Sequence, residues 1–187
     1  NRSILFALAA FFLLWLGSGM YQLQPGEQGV VLRFGKYDRI ATAGLRYHLP
    51  SPFESVEIVN SEAIRTETMS GVRGGMSSHE ITGSGIMDSN DDKILMLTGD
   101  ENIINLSFNV QWKVRDVKDF VFNIIHPEAT VRAVAESAMR DVIGRTPISS
   151  ALTEGKLTVQ TEAHKLMQNT LDRYHSGIDI INVNLRD

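Results

Sequence analysis

Apolar residues follow three different spacings along the chain, and each spacing predicts a different kind of element. No charged side chain lies between Arg2 and Glu27, and most of that stretch is continuously apolar. From Glu27 onward apolar and polar positions alternate, which is typical of half-buried strands. After Pro127 the apolar positions recur every three or four residues, the spacing of an amphipathic helix. The pattern therefore predicts an apolar N-terminal helix, then strands, then two helices and a final strand.

Residues 1–21 are predicted to form a transmembrane anchor. A helix of about twenty residues, at about 1.5 Å each, spans the roughly 30 Å of bilayer hydrocarbon. Trp15 and Tyr21 lie toward one end, where aromatic rings favour the membrane interface, and Arg2 indicates a cytoplasmic N-terminus. Two alternatives stay open: a signal peptide cleaved near residues 17–19, and a buried core helix. The apolar residues assigned to the anchor are Ile4, Leu5, Phe6, Leu8, Phe11, Phe12, Leu13, Leu14, Trp15 and Leu16.

Residues 22–98 are predicted to form a β-rich first lobe. Val30, Leu32 and Phe34 alternate with Val31 and Arg33, which predicts a strand near the start of the lobe. Residues 69–92 interrupt the lobe with five glycines among serines and aspartates. Because such a stretch can bury little apolar surface, it is interpreted as a mobile loop.

Residues 99–187 are predicted to form a second lobe with strand–helix–helix–strand order. Its first strand carries six apolar residues at every second position: Ile104, Leu106, Phe108, Val110, Trp112 and Val114. A helix begins at Pro127, a favoured first-turn residue, and Gly144 is placed at its C-terminal cap. The residues predicted to face the core from this helix are Val131, Val134, Ala135, Ala138, Met139, Val142 and Ile143. The fold class predicted is α+β in two lobes.

A charged ladder lies on the same helix. Arg132, Glu136 and Arg140 are spaced four residues apart, away from the predicted core stripe. They are the candidate subunit contact, although a solvated helix face is the alternative. A second helix over residues 157–174 and a strand over residues 178–185 complete the lobe.

Composition excludes several kinds of chemistry. The chain has 18 basic and 22 acidic residues, mixed along its length, which argues against a nucleic-acid partner. It has no cysteine, so disulfides and thiolate chemistry are excluded. The histidines do not form the H-E-x-x-H spacing of a zinc protease, and no phosphate-binding loop motif occurs. Ser84, between Gly83 and Gly85, does not fit a nucleophile elbow. We therefore predict no catalytic, cofactor or metal site.

Several segments resemble one known family. Residues 27–36, Glu-Gln-Gly-Val-Val-Leu-Arg-Phe-Gly-Lys, resemble the opening strand of band-7 or SPFH (stomatin/prohibitin/flotillin/HflK) domains. Ala43 stands where the family has the proline of a Pro-Gly-Leu turn. Residues 97–104, 109–114, 138–144 and 152–155 resemble the HflK branch of this family, and residues 177–185 resemble the strand that precedes a long coiled-coil helix in the family. The resemblance covers nearly everything from about Gln24 onward.

The resemblance implies a two-lobed SPFH domain that is followed, beyond Asp187, by a coiled-coil helix. It also implies a single-pass protein of the bacterial inner membrane with its main domain on the periplasmic side. The implied partners are an HflC-like paralogue, an FtsH-type AAA+ protease and the lipid bilayer, in a large ring-like oligomer. Since the chain begins at Asn1 rather than Met, we expect it to be part of a longer protein.

Three other functions remain as alternatives. The nearest is a stomatin-like or HflC-like membrane scaffold of another kind. A membrane-anchored serine hydrolase would have to use Ser84, with His79 and Glu80 beside it. A secreted solute-binding module would require cleavage near Gly19. A fluorophosphonate probe and the mass of the mature N-terminus would separate the last two from a scaffold.

Overall fold

The structure is a computed structural model, and it describes residues 17–69, 94–147 and 155–186 together with residues 6, 10, 11 and 13–15. Residues 70–92 of the predicted loop lie outside the described residues, and so do five anchor residues: Ile4, Leu5, Leu8, Phe12 and Leu16. The described residues up to Gly17 have helical backbone. Among the described residues, no helix is both long enough and apolar enough to cross a bilayer.

Strands and helices occur together in the described chain, which confirms the predicted α+β class. The strands are β1 (Met20–Leu23), β2 (Glu27–Arg33), β3 (Lys36–Ala41), β4 (Gly44–Tyr47), β5 (Glu54–Asn60), β6 (Arg65–Met69), β7 (Ile94–Leu97), β8 (Ile103–Val114) and β9 (Ile178–Arg186). The helices are α1 (Val117–Asn123), α2 (Pro127–Arg145) and α3 (Lys156–Arg173).

The chain folds into two compact units, and each unit is built from separate stretches of sequence. The first comprises Asn1–Ala63, Lys113–Ile125 and His175–Ile178. The second comprises Ile64–Trp112, His126–Tyr174 and Asp179–Asp187. This division differs from a single cut between residues 98 and 99, because β6 and β7 pair with β8 and so lie in the second unit.

The first unit is organised around β2. This strand pairs antiparallel with β3 on one side and with β5 on the other, while β1 and β4 form a separate antiparallel pair. Val31 packs in a cluster with Leu23 and Ala41, and its neighbour Val30 is buried as well, because α1 also packs against β2. Each fully buried valine contributes about 1.5–3 kcal/mol. The strand is therefore covered on both faces rather than on one.

The second unit is organised around β8. This strand pairs antiparallel with β6 and with β7, and it also pairs with β9. All six residues that the alternation places on its inner face are buried. On the opposite face Ser107, Asn109 and Gln111 are half-buried. The predicted strand and its inner face are confirmed.

The two long helices match the predicted stripes. All seven core residues predicted for α2 are buried, and α3 packs against α2 through a stripe that includes Val159, Ala163 and Met167. The predicted cap at Gly144 is wrong by two residues. Thr146 ends the helix instead, because its backbone N–H and its hydroxyl donate to the carbonyls of the last turn.

The short helix α1 was not predicted from the sequence. It has seven residues, and only Val117 among them is buried, so it has no apolar stripe to reveal it. Its start is nevertheless encoded locally. The Asp116 carboxylate accepts from the backbone N–H groups of Lys118 and Asp119, which is the N-cap interaction expected of aspartate.

Candidate functional site

An unusual turn joins β2 to β3 in the first unit. Phe34 and Gly35 are its two central residues, and both have positive φ, 50° and 77°. Turns of this kind favour glycine, which has no Cβ atom, and asparagine, whose short polar side chain tolerates the left-handed region better than other side chains do. Phe34 is also 70% exposed. A bulky apolar residue thus occupies a position that neither backbone conformation nor burial favours, which indicates a functional constraint.

The loop between β4 and β5 brings a second phenylalanine to the same place. The Phe34 N–H donates to the Phe53 carbonyl at 3.1 Å. The two rings meet edge to face with centroids 5.7 Å apart, and Trp15 meets Phe53 in the same way at 6.1 Å. We call these three residues the aromatic tip. Phe53 is 42% exposed and Trp15 is half-buried, so the tip presents aromatic surface to its surroundings.

A buried carboxylate lies directly behind the aromatic tip. Glu54 is 3% exposed, and its Oε1 accepts from Arg33 Nη2 at 2.8 Å and from Nε at 3.2 Å. Its Oε2 accepts from the Leu49 N–H at 2.9 Å. Arg39 donates to both oxygens at 3.4 Å. Burial alone would raise the pKa of Glu54, but these donors favour the carboxylate and hold its pKa at about 2.

The chemistry of this surface suits a lipid interface. Edge-to-face aromatic rings with exposed apolar area favour the boundary between headgroups and acyl chains. The side chains of Arg33 and Arg39 are about half exposed beside them, at 51% and 44%. Guanidinium groups at that level can bind lipid phosphates through two N–H donors at once. The arrangement offers binding and orientation rather than a nucleophile with its base.

The predicted anchor residues that are described lie close to this surface in sequence. Phe6, Phe11, Leu13 and Leu14 are all at least 70% exposed, so they are free of the folded core. Trp15 belongs to both the predicted anchor and the aromatic tip. The transmembrane role of the segment stays a prediction.

The charged ladder does not form one uniform surface. Arg132 Nη2 donates to Glu67 Oε2 at 3.0 Å, which ties α2 to β6 within the second unit. Glu136 and Arg140 instead pair with each other along the helix. Arg132 is exposed, as expected for the side of the helix opposite the core, and its guanidinium also reaches the sheet. Arg132, Glu136 and Arg140 stay candidates for a subunit contact.

Two histidines within the described residues, His48 and His164, have local partners for their side chains. His48 Nδ1 lies 2.8 Å from the Leu49 carbonyl oxygen, and its ring packs against Tyr21. His164 Nε2 lies 2.8 Å from the Ile180 carbonyl oxygen. Within the described part of the chain, no group of three or more histidines and carboxylates is placed to hold a metal ion. Ser84, His79 and Glu80 lie outside the described residues.

Sequence reasoning did not find the aromatic tip. Phe34 was assigned to the alternating face of a strand, and Phe53 follows a proline-rich break without any periodic signal. The available clue was the pair Phe34-Gly35 itself, since a phenylalanine before the glycine of a tight turn has little chance of burial.

The family model for the SPFH domain / Band 7 family matches residues 21–187 of the chain. The chain therefore belongs to this family. It is 32% identical over 186 residues to the protein HflK of Buchnera aphidicola from Schizaphis graminum, and 30% identical over 186 residues to the Escherichia coli protein named modulator of FtsH protease HflK. Both alignments cover 100% of this chain and 39% of the relative. The chain thus spans about two fifths of the length of these relatives.

Proposed function

We propose that the protein is a membrane-anchored, non-enzymatic scaffold that regulates an FtsH-type AAA+ protease. In this proposal it is a single-pass protein of the bacterial inner membrane, and its SPFH domain lies on the periplasmic side. It pairs with an HflC-like paralogue, and the subunits assemble into a large ring-like oligomer. Regulation is geometric, because an enclosing wall of subunits controls which membrane substrates reach the protease.

The observation that carries the proposal is the similarity to HflK proteins over the whole chain. The name of the Escherichia coli relative states that it modulates FtsH protease. The matched region includes the SPFH domain but covers only part of each relative. The partner and the assembly are therefore inferred from sequence similarity to these proteins. The aromatic tip adds independent support for a location at the bilayer.

The first experiment identifies the partners. The protein is purified from membranes in a mild detergent, and co-purifying proteins are identified by mass spectrometry. We expect an FtsH-type protease and an HflC-like paralogue, and deletion of this protein should change the degradation of a membrane substrate by that protease. Purified protein that hydrolyses a peptide or ester without these partners would contradict the scaffold.

The second experiment tests the anchor. Alkaline carbonate should leave the protein in the membrane pellet, while a version that begins near Gln22 should be released. A full-length protein that washes off at high pH would show that the N-terminal segment is not a transmembrane anchor.

The third experiment tests whether the first unit rests on the bilayer. These 187 residues contain no cysteine, so a single cysteine introduced among them can carry a spin label once any cysteine elsewhere in the protein has been replaced by serine. A label at Ser51, in the loop before Phe53, should be more accessible to oxygen than to an aqueous nickel complex in reconstituted membranes. A label at Ile58 is the control. Ile58 is exposed on β5, where it pairs with Gly29 and lies four residues beyond Glu54, so its label should be more accessible to the aqueous nickel complex.

A further inference from the structure

We propose that Glu54 is the positioning residue of the aromatic tip: it holds Phe34 and Phe53 at the lipid surface and aims two guanidinium groups at lipid phosphates. This inference rests on the proposed contact between the first unit and the bilayer. It names Glu54 as the residue that controls the contact. It also names phosphate as the part of the lipid headgroup that the contact recognises.

Glu54 connects the three segments that form the surface. Arg33 lies at the end of β2, immediately before Phe34, and it faces Glu54 in the β2–β5 ladder. Arg39 comes from β3, the other strand of the hairpin that carries Phe34. Leu49 comes from the loop that ends at Phe53. One carboxylate therefore fixes the turn, the hairpin and the loop relative to each other.

The position of each ring follows from these bonds. Phe53 directly precedes Glu54 in the chain, and Phe34 directly follows Arg33. The hydrogen bond between the Phe34 N–H and the Phe53 carbonyl oxygen then sets the edge-to-face contact. With the carboxylate removed, the Leu49 N–H and the Arg33 guanidinium lose their acceptor, while Arg39 keeps Asp38 Oδ2 at 2.6 Å and the Tyr47 carbonyl oxygen at 3.3 Å. The loop is then free to fold its apolar side chains back onto the unit, away from lipid.

The charges of Glu54, Arg33 and Arg39 orient side chains in a way that an apolar contact would not. Replacing buried ion pairs by apolar residues of similar volume is often neutral or stabilising, so stability alone does not explain this cluster. Here the carboxylate is buried while both arginine partners are about half exposed. The carboxylate orients Arg33, and it orients Arg39 together with Asp38 Oδ2 and the Tyr47 carbonyl oxygen. In this proposal the exposed parts of both guanidinium groups contact phosphates beside the aromatic rings.

The variant Glu54→Gln tests the inference because it keeps the shape and removes the charge. The amide NH₂ of the new glutamine would also face an N–H donor of Arg33 or Leu49, where the carboxylate oxygen had accepted a hydrogen bond. The readout is the spin label at Ser51 in the reconstituted full-length protein. We expect the label to shift from the oxygen-accessible to the nickel-accessible range, together with a more mobile line shape. Glu57→Gln is the matched control, because Glu57 is an exposed carboxylate on the same strand.

Each outcome separates the inference from the function on which it rests. If the Ser51 label is water-exposed in the unmodified protein, the lipid contact is wrong and so is this inference. If it lies in lipid and Glu54→Gln folds without moving it, the lipid contact stands and the positioning role is overturned. Should Glu54→Gln fail to fold, Arg39→Gln removes a half-exposed partner of Glu54, together with its bonds to Asp38 and the Tyr47 carbonyl oxygen, and should produce a smaller shift in the same direction. Label depth unchanged in Arg39→Gln would then overturn the inference.

A last comparison tests the phosphate chemistry. In membranes with anionic phospholipids the Ser51 label should lie deeper than in membranes of zwitterionic lipid. Arg33→Gln should abolish this difference, while Glu57→Gln should keep it. Equal depth in both lipids for the unmodified protein would overturn the assignment of the guanidinium groups to headgroup phosphates.

Discussion

Arg33 and Glu54 are 21 residues apart in sequence, yet they face each other across the β2–β5 ladder and form an ion pair of 2.8 Å. The pair joins the end of a central strand to the start of its neighbour. It stands directly behind the aromatic tip, so the same contact that closes the ladder also determines where Phe34 and Phe53 project.

The Glu54 carboxylate should make the folded state sensitive to acid. Its folded pKa of about 2 lies below the value of 4.5 that is usual for glutamate. A lowered folded pKa contributes stability above the unfolded pKa, and that contribution is lost as the pH falls from about 4.5 toward 2. Because both arginine partners are about half exposed and screened by solvent, the contribution near neutral pH is on the order of 1–2 kcal/mol. Urea unfolding followed against pH should show this loss, and Glu54→Gln should be less stable at pH 7 with a flatter profile.

The control for this measurement is Glu57→Gln, which should leave both the stability at pH 7 and the acid profile nearly unchanged. If Glu54→Gln and the unmodified protein lose stability in parallel between pH 4.5 and 2, other carboxylates cause the acid sensitivity.

Phe34→Asn should stabilise the fold and weaken the membrane contact. Asparagine tolerates positive φ better than phenylalanine does, and left-handed backbone costs an ordinary residue about 1–2 kcal/mol. Since the Phe34 side chain is mostly exposed, its removal should forfeit little burial. We expect a gain of about 0.5–1 kcal/mol in unfolding free energy, with the Ser51 label moving toward water. Lower stability together with unchanged label depth would show that Phe34 serves packing instead.

The strand β8 should respond differently on its two faces. Phe108 and Trp112 are fully buried, so Phe108→Ala or Trp112→Ala should lower the unfolding free energy by roughly 3–5 kcal/mol. Gln111→Ala, on the half-buried opposite face, should lower it by less than about 1 kcal/mol. Equal losses on both faces would mean that the second face is also covered.

Much of the second unit could be predicted because its signals are local. The alternation in β8 and the stripe in α2 each depend on neighbours within one element, and both are confirmed residue by residue. Neither the ion cluster of Glu54 nor the division into two units, each built from separate stretches of sequence, could be predicted in this way. They depend on pairing between distant segments, such as Arg33 with Glu54, and no periodicity within one strand records such a partner.

Gln168 should protect the edge of β9. The Ile180 N–H donates to Gln168 Oε1 at 2.8 Å, and His164 Nε2, as the protonated nitrogen, donates to the Ile180 carbonyl oxygen at 2.8 Å. Two side chains of α3 thus occupy backbone groups that could otherwise pair with another strand. Gln168→Leu should lower the unfolding free energy by about 1–2 kcal/mol and promote association between copies. Asn169→Leu is the control, because it adds the same apolar side chain at an exposed neighbouring position. Equal association of the two variants would exclude a role for Gln168 in protecting the edge of β9.

The charged residues of α2 should divide into one that supports the fold and two that are available to a neighbouring subunit. Arg132→Glu would place a carboxylate beside Glu67, which is largely buried, so it should destabilise the second unit. Exchanging the partners, Glu136→Arg with Arg140→Glu, keeps an ion pair four residues apart and should change stability by less than about 0.5 kcal/mol. If this pair contacts another subunit, the exchanged variant should remain folded but fail to co-assemble with unmodified copies in detergent, as measured by size-exclusion chromatography with light scattering. Normal assembly of the exchanged variant would show that Glu136 and Arg140 form a solvated face, and the subunit contact would have to be sought elsewhere on the domain.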